Sequence, residues 1–129
     1  MTSSSAVPPM GSTVIHWKDI AVIPTLKGER RDAFNAPTAT LDLFHCHITT
    51  LRPGEISSVP HRQPQEELVI VKEGTMEVTI DGQASTAAAG SMFFFASNVL
   101  EGMRNVGDGP ATYYVLQFFT AKTPPPDAA

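Results

Sequence analysis

Apolar and polar residues alternate in short runs along this chain, and turn residues cut the runs at short intervals. From Thr40 to Leu51, the residues Leu41, Leu43, His45, His47 and Thr49 fall on one side, and Asp42, Phe44, Cys46 and Ile48 on the other. Alternate residues of a strand share a face, so this stretch predicts a strand. Arg52-Pro53-Gly54 ends it, because proline cannot continue a central ladder. Glu67 to Val71 is an apolar, β-branched run, and Lys72-Glu73-Gly74-Thr75 is a turn. Met76, Val78 and Ile80 then alternate up to Asp81-Gly82, a strong hairpin signal, since a type I′ turn needs positive φ at both central residues. Ser91–Ala96, Met103–Val106 and Ala111–Thr120 predict three more strands, the last with Tyr113, Val115, Gln117 and Phe119 on one face. Near the start, Val14–Trp17 and Ile20–Ile23 are short apolar runs. Glu29-Arg30-Arg31-Asp32 reads as a solvated charge cluster in a loop, with a short helical turn over Thr25–Arg31. No ten-residue stretch carries a helical period, and there is no internal repeat, which leaves an all-β antiparallel barrel or sandwich.

The 129 residues are enough for one domain with a sizeable core. Residues 1–11 are small, polar and proline-bearing and read as an arm; 121–129, with Pro124-Pro125-Pro126, read as a tail. Both are expected to add little stability. The barrel is expected over 12–120. A net charge of −4 argues against a nucleic-acid-binding surface. The single cysteine, Cys46, excludes an internal disulfide and reads as a buried hydrophobe. No run is long enough to cross a membrane as a helix, and the N-terminus lacks the pattern of a signal peptide. These features give the expectation of a cytoplasmic protein with no membrane or nucleic-acid partner.

Chemistry concentrates in two stretches. Gly54 to Gly74 carries His61, Gln63 and Glu67; Gly90 to Asn105 carries Glu101 and Asn105. His61 and Gln63 share a strand face, and Glu67 can reach it from the next strand. His45 and His47 form a second pair at strand spacing. They line the pocket if their face looks inward; otherwise one is a core histidine and the other a rim residue. Tyr113 and Gln117 are further pocket candidates. Phe93, Phe94 and Phe95 read as core and interface, while Arg62 and Arg104 alternate away from the site.

In their spacing these stretches resemble the two motifs of the cupin family. The first stands here as Gly54, six residues, His61-Arg62-Gln63, three residues, Glu67, six residues, Gly74. The second stands as Gly90, five residues, Ala96-Ser97-Asn98, two residues, Glu101, three residues, Asn105. The resemblance implies a jelly-roll barrel. It also implies a divalent metal held by the positions of His61, Gln63, Glu67 and Glu101, three of which are histidines in the family. Here Gln63 and Glu101 replace two of those histidines, and Asn98 replaces a glycine. Asn105 resembles the family's closing Asn, which secures a turn. One imidazole nitrogen with three oxygens favours Mn or Fe(II) over Zn, with binding that weakens below neutral pH because the histidine must be deprotonated.

Three readings stand at this point. One is a metal-dependent enzyme acting on a small oxygenated molecule, as a dioxygenase, isomerase or lyase. Another is a metal-free isomerase, cyclase or dehydratase with Glu101 and His61 as its acid–base pair. The third is a non-catalytic protein that binds a small ligand. A homodimer is expected in each case, because open sheet edges and the apolar run near Ile20 need covering.

Overall fold

The structure is a computed structural model, and it describes residues 7–126. Nine strands follow one another: β1 (Ile23–Thr25), β2 (Gly28–Ala36), β3 (Leu43–Leu51), β4 (Glu66–Glu73), β5 (Thr75–Ile80), β6 (Gln83–Ala88), β7 (Met92–Phe95), β8 (Glu101–Asn105) and β9 (Ala111–Phe119). They form two antiparallel sheets, ordered β1-β2-β3-β9-β4-β7 and β6-β5-β8. The fold is all-β, as the alternation predicts. Trp17–Asp19 forms a 3-10 turn ahead of the strands. The Trp17 ring lies 4.4 Å from both the Arg31 guanidinium and the Lys72 ammonium, a cation–π arrangement that lays the N-terminal segment along the outside of the large sheet. Of the expected arm, residues 1–6 lie outside the described part. Within the rest, the Met10 N–H donates to the Pro37 carbonyl at 2.8 Å.

The turns obey the local chemistry read from the sequence. Asp81 and Gly82 take φ values of 49° and 84°, the type I′ pair that joins β5 to β6. Gly74 has φ of 85°, and a Cβ there would stand 2.6 Å from the Pro110 carbonyl oxygen. The tight β4–β5 turn therefore admits only glycine, on backbone conformation and on space together.

One expectation is overturned. Glu29-Arg30-Arg31-Asp32 is neither a loop nor a helical turn; it lies inside β2. The charges alternate across the strand. Arg30 Nε donates to Asp32 Oδ1 at 2.8 Å on one side, and Arg31 Nη1 donates to Glu29 Oε2 at 2.6 Å on the other. Pairing two residues apart suits the period of a strand, and it lets an edge-proximal strand carry four charges.

The core fills the space between the sheets. Leu51, Val69, Val71, Met76, Val78, Phe95, Ala111, Tyr113 and Val115 form its buried cluster. Phe95 is fully inside, Phe93 packs against the core, and Phe94 points outward, half exposed. Cys46 is buried on the opposite side of β3 from the two histidines, and burial raises its thiol pKa.

Candidate functional site

Register decides which side chains meet on the concave face of the large sheet. Asn35 of β2 pairs with His45 of β3, His45 with Gln117 of β9, Gln117 with Glu67 of β4, and Glu67 with Phe95 of β7. Directly paired residues project to the same side, so His45, Gln117 and Glu67 form one polar row. The next row is Asp32, His47, Val115, Val69 and Phe93, and the one beyond it runs Arg30, Thr49, Tyr113 and Val71.

The opposite wall comes from the loop before β4. His61 and Glu101 form an isolated antiparallel bridge and exchange both backbone hydrogen bonds, at 3.0 and 2.9 Å. This bridge holds the two side chains together at the end of β8. The Asn98 N–H donates to the Gln63 carbonyl at 2.7 Å. Asn98 takes φ of 61°, a left-handed conformation that Asn tolerates better than most residues. The substitution at a glycine position of the motif therefore leaves the turn intact.

These elements enclose one cavity of about 440 Å³. His61, Gln63, Glu67, Glu101, His47, Tyr113 and Gln117 all line it, together with Lys27 and Arg30. His45 stands one position behind the lining, where its ring contacts Gln117 and His47. Arg62 is exposed and donates to the Asn98 carbonyl at 2.8 Å, and Arg104 is exposed on β8.

A hydrogen-bonded chain crosses the cavity floor. Arg30 Nη2 stands 3.4 Å from His45 Nε2, and His45 Nδ1 stands 3.1 Å from Gln117 Oε1. Since arginine can only donate, His45 Nε2 accepts and Nδ1 carries the proton. Gln117 Nε2 donates to Glu67 Oε1 at 2.8 Å. Gln63 Nε2 donates to Glu101 Oε1 at 2.8 Å and reaches Glu67 Oε1 at 3.5 Å. Gln65, itself buried, donates to Gln63 Oε1 and so orients the amide with its N–H groups toward the carboxylates. The chain ends at Glu101; His61 Nε2 stands beyond hydrogen-bond reach, 3.9 Å from Glu101 Oε1, while its Nδ1 lies 3.1 Å from Ser58 Oγ.

Electrostatics follow from that geometry. Glu101 is 4% exposed and Glu67 3%. Burial, reinforced by the Glu67 charge and opposed by the Gln63 hydrogen bond, pushes the Glu101 pKa up to about 7. Burial also raises Glu67, against hydrogen bonds from Gln117 and Gln63. His47 moves the other way, to about 4, through burial and then the nearby Arg30 and His45. It is neutral at physiological pH, and its Nδ1 is buried without a hydrogen-bond partner.

The fit of a divalent cation can be judged from these donors. A cation needs lone pairs converging on one point. Here the Gln63 amide turns N–H donors toward both carboxylates and occupies the bridging role itself. Among the described residues, no three His, Cys, Asp or Glu side chains stand close enough to hold one ion. As arranged, the four motif positions do not fit a metal.

Sequence reading missed Arg30 and Lys27. The signal was present for Arg30: in Gly28-Glu-Arg-Arg-Asp-Ala-Phe-Asn, opposite charges recur at a spacing of two, which marks a strand with both faces charged rather than a loop. Lys27 sits in the β1–β2 turn, and nothing in its local sequence marks it.

Comparison with known proteins places this geometry. No curated protein matches the chain. Among solved structures, an RmlC-like cupin from Shewanella frigidimarina is 14% identical with a TM-score of 0.69, the alignment covering 87% of this chain and 95% of that one. A sugar phosphate isomerase of the cupin superfamily from Silicibacter pomeroyi is 21% identical with a TM-score of 0.65, over 84% and 76%. The polyketide cyclase RemF from Streptomyces resistomycificus is 15% identical with a TM-score of 0.65, over 92% and 87%. These likenesses show a shared fold. The cupin domain family matches residues 47–117, from His47 to Gln117 across both motifs, and the chain belongs to that family.

Proposed function

We propose that the cavity is a metal-free acid–base site that moves a proton on a small organic molecule, in an isomerisation, cyclisation or dehydration. The observation that carries this reading is the Glu101–Gln63–Glu67 arrangement. Two buried carboxyl groups share one amide, and Glu101 also faces His61. Two close carboxyl groups in a buried site do not both ionise readily, so at neutral pH Glu101 can either give or take a proton. His61, on the same wall, is the partner for the return transfer. The fold is compatible with such chemistry, since the structural neighbours include a sugar phosphate isomerase and a polyketide cyclase, but fold alone does not select a reaction. The test is incubation with small ketones, keto acids and hydroxy acids in D2O, following loss of C–H signals by proton NMR. Exchange catalysed by the natural chain and lost in Glu101→Gln is the expected result. Exchange that survives the substitution would overturn the assignment.

The competing reading is the metal-dependent one, in which Mn or Fe(II) sits at His61, Gln63, Glu67 and Glu101. Its support is that His61 and Glu67 keep the family's ligand positions; the donor orientation of Gln63 stands against it. Calorimetric titration of the chelator-treated chain with Mn, Fe(II) and Zn at two pH values separates the two. The acid–base reading expects no binding by the natural chain and measurable binding by the Gln63→His, Glu101→His double variant, which restores the imidazole ligands. Tight binding by the natural chain, weakening below neutral pH, would favour the metal.

We also propose that the chain is a homodimer. Strand β1 is an edge of the large sheet; Val22 and Ile23 are exposed beside and within it, and Val14 and Ile15 of the preceding segment are exposed too. A second copy would cover the edge and the apolar side chains together. Light scattering at micromolar concentration is expected to give twice the chain mass, and a monomer mass refutes this.

A further inference from the structure

The two ends of the cavity differ in charge. Glu67 and Glu101 occupy one end, while the cationic side chains of its lining, Lys27 and Arg30, come from β2 and the turn before it. Strand order β2-β3-β9-β4 puts Arg30 and Glu67 three strand spacings apart, about 14 Å across the sheet. Between them the lining is mixed: Leu51, Met103 and Val115 are apolar, and Thr49, His47 and Gln117 are uncharged and polar.

Arg30 is held in place and only partly used. Its Nε donates to Asp32 and its Nη2 to His45. Of its five N–H donors, the remaining three have no partner among the described residues. Lys27 Nζ donates once, to the Ser57 carbonyl at 3.2 Å, and has two N–H groups to spare. His47, between the two ends, is neutral and contributes no charge.

We infer that the cavity takes a small organic monocarboxylate, gripped by Arg30 and Lys27, with its uncharged end directed at Glu101. This deepens the acid–base reading and rests on it for the orientation alone. A guanidinium with free N–H groups matches a carboxylate in geometry as well as charge. One negative charge is the limit for two reasons. Asp32 already offsets part of the Arg30 charge, and a second anionic group would lie against Glu67 and Glu101, where like charges repel. The volume suits a small molecule, and Leu51, Met103 and Val115 offer contact to a carbon frame between the two charged ends.

The test uses matched pairs: benzoate against methyl benzoate, and phenylpyruvate against its methyl ester, with terephthalate and adipate as dianions whose second carboxylate lies at the far end. Binding is measured by calorimetry or ligand-observed NMR. At least one monocarboxylate is expected to bind roughly tenfold or more tighter than its ester, and Arg30→Met to remove that preference. Arg30→Lys, which keeps the charge, should retain part of it, and Glu101→Gln should retain all of it. The inference is overturned if no pair prefers the anion, if the dianions bind as well as the monocarboxylates, or if Arg30→Met leaves the preference intact. Should Arg30→Met fail to fold, the pairs measured on the natural chain and on Lys27→Met decide the matter. The two readings fail separately. A carboxylate preference combined with proton exchange that ignores Glu101→Gln keeps the anion site and removes the acid–base role. Exchange that needs Glu101, with esters binding as well as acids, does the reverse.

Discussion

Replacing Glu101 with glutamine is expected to slow the proposed proton transfer and at the same time to stabilise the fold at alkaline pH. A positioned general acid or base contributes about 10²- to 10⁴-fold in rate, and that is the loss expected for any substrate the natural chain turns over. The stability gain follows from linkage. The folded pKa of Glu101, about 7, lies above its unfolded value, so between roughly pH 4.5 and 7 the folded state binds the proton that the unfolded state has released. The stabilisation from the protonated carboxyl is fully present below that window and is lost as pH rises through it. Water reaches the open cavity, so the effect is discounted to about 1–2 kcal/mol. Glutamine offers Gln63 the same acceptor oxygen without a titrating charge. Thermal melts should therefore show the natural chain losing several degrees between pH 5 and 8, and the variant losing less. Equal slopes for both chains would mean that Glu101 is not the group responsible.

Asn105→Ala will destabilise the fold by about 3–4 kcal/mol, read from denaturant midpoints with the slope unchanged. Asn105 is completely buried. Its Nδ2 donates to the Leu51 carbonyl at 2.9 Å and to the Gly109 carbonyl at 3.0 Å, and its Oδ1 accepts from the Gly107 N–H at 2.9 Å. One side chain thus joins the end of β3, the end of β8 and the turn before β9. Alanine leaves the buried Leu51 carbonyl without its partner, at about 1–3 kcal/mol, and releases the Gly107 N–H and Gly109 carbonyl of the partly exposed turn; the space left by the lost side chain adds to the loss. Asn105→Asp keeps the acceptor and loses both donors, so it should be nearly as damaging. A loss below about 1 kcal/mol would show that the turn is held by the backbone alone.

The fold was legible because its marks are backbone constraints. Gly74, Asp81-Gly82 and Asn98 occupy conformations that few other residues adopt, and Asn105 needs a side chain of one shape. Such requirements survive in the spacing of turns even where ligand positions have changed. The resemblance to the two motifs groups His61, Gln63, Glu67 and Glu101, and the structure places them around one cavity; alternation left open whether His45, His47, Tyr113 and Gln117 line it, and all but His45 do. What could not be read was the direction of the Gln63 amide, which depends on Gln65 and on the two carboxyl groups of other strands. The β2 contribution was lost for another reason. A run of four charges has a low apparent strand propensity, and only the pairing of each charge with the residue two away makes the strand tolerable. Arg30 went with it, and so did the cationic end of the cavity.

The proposed role of Glu101 requires that its carboxyl exchange a proton near neutrality without a metal. The direct measurement is a pH titration of the Glu101 side-chain carboxyl carbon by NMR, on chelator-treated protein, with Glu101→Gln to assign the signal and Glu67→Gln alongside. A midpoint near 7 is expected in the natural chain, and a lower one once the Glu67 charge is removed. A midpoint at the ordinary carboxylate value of about 4.3, unmoved by Glu67→Gln, would contradict it.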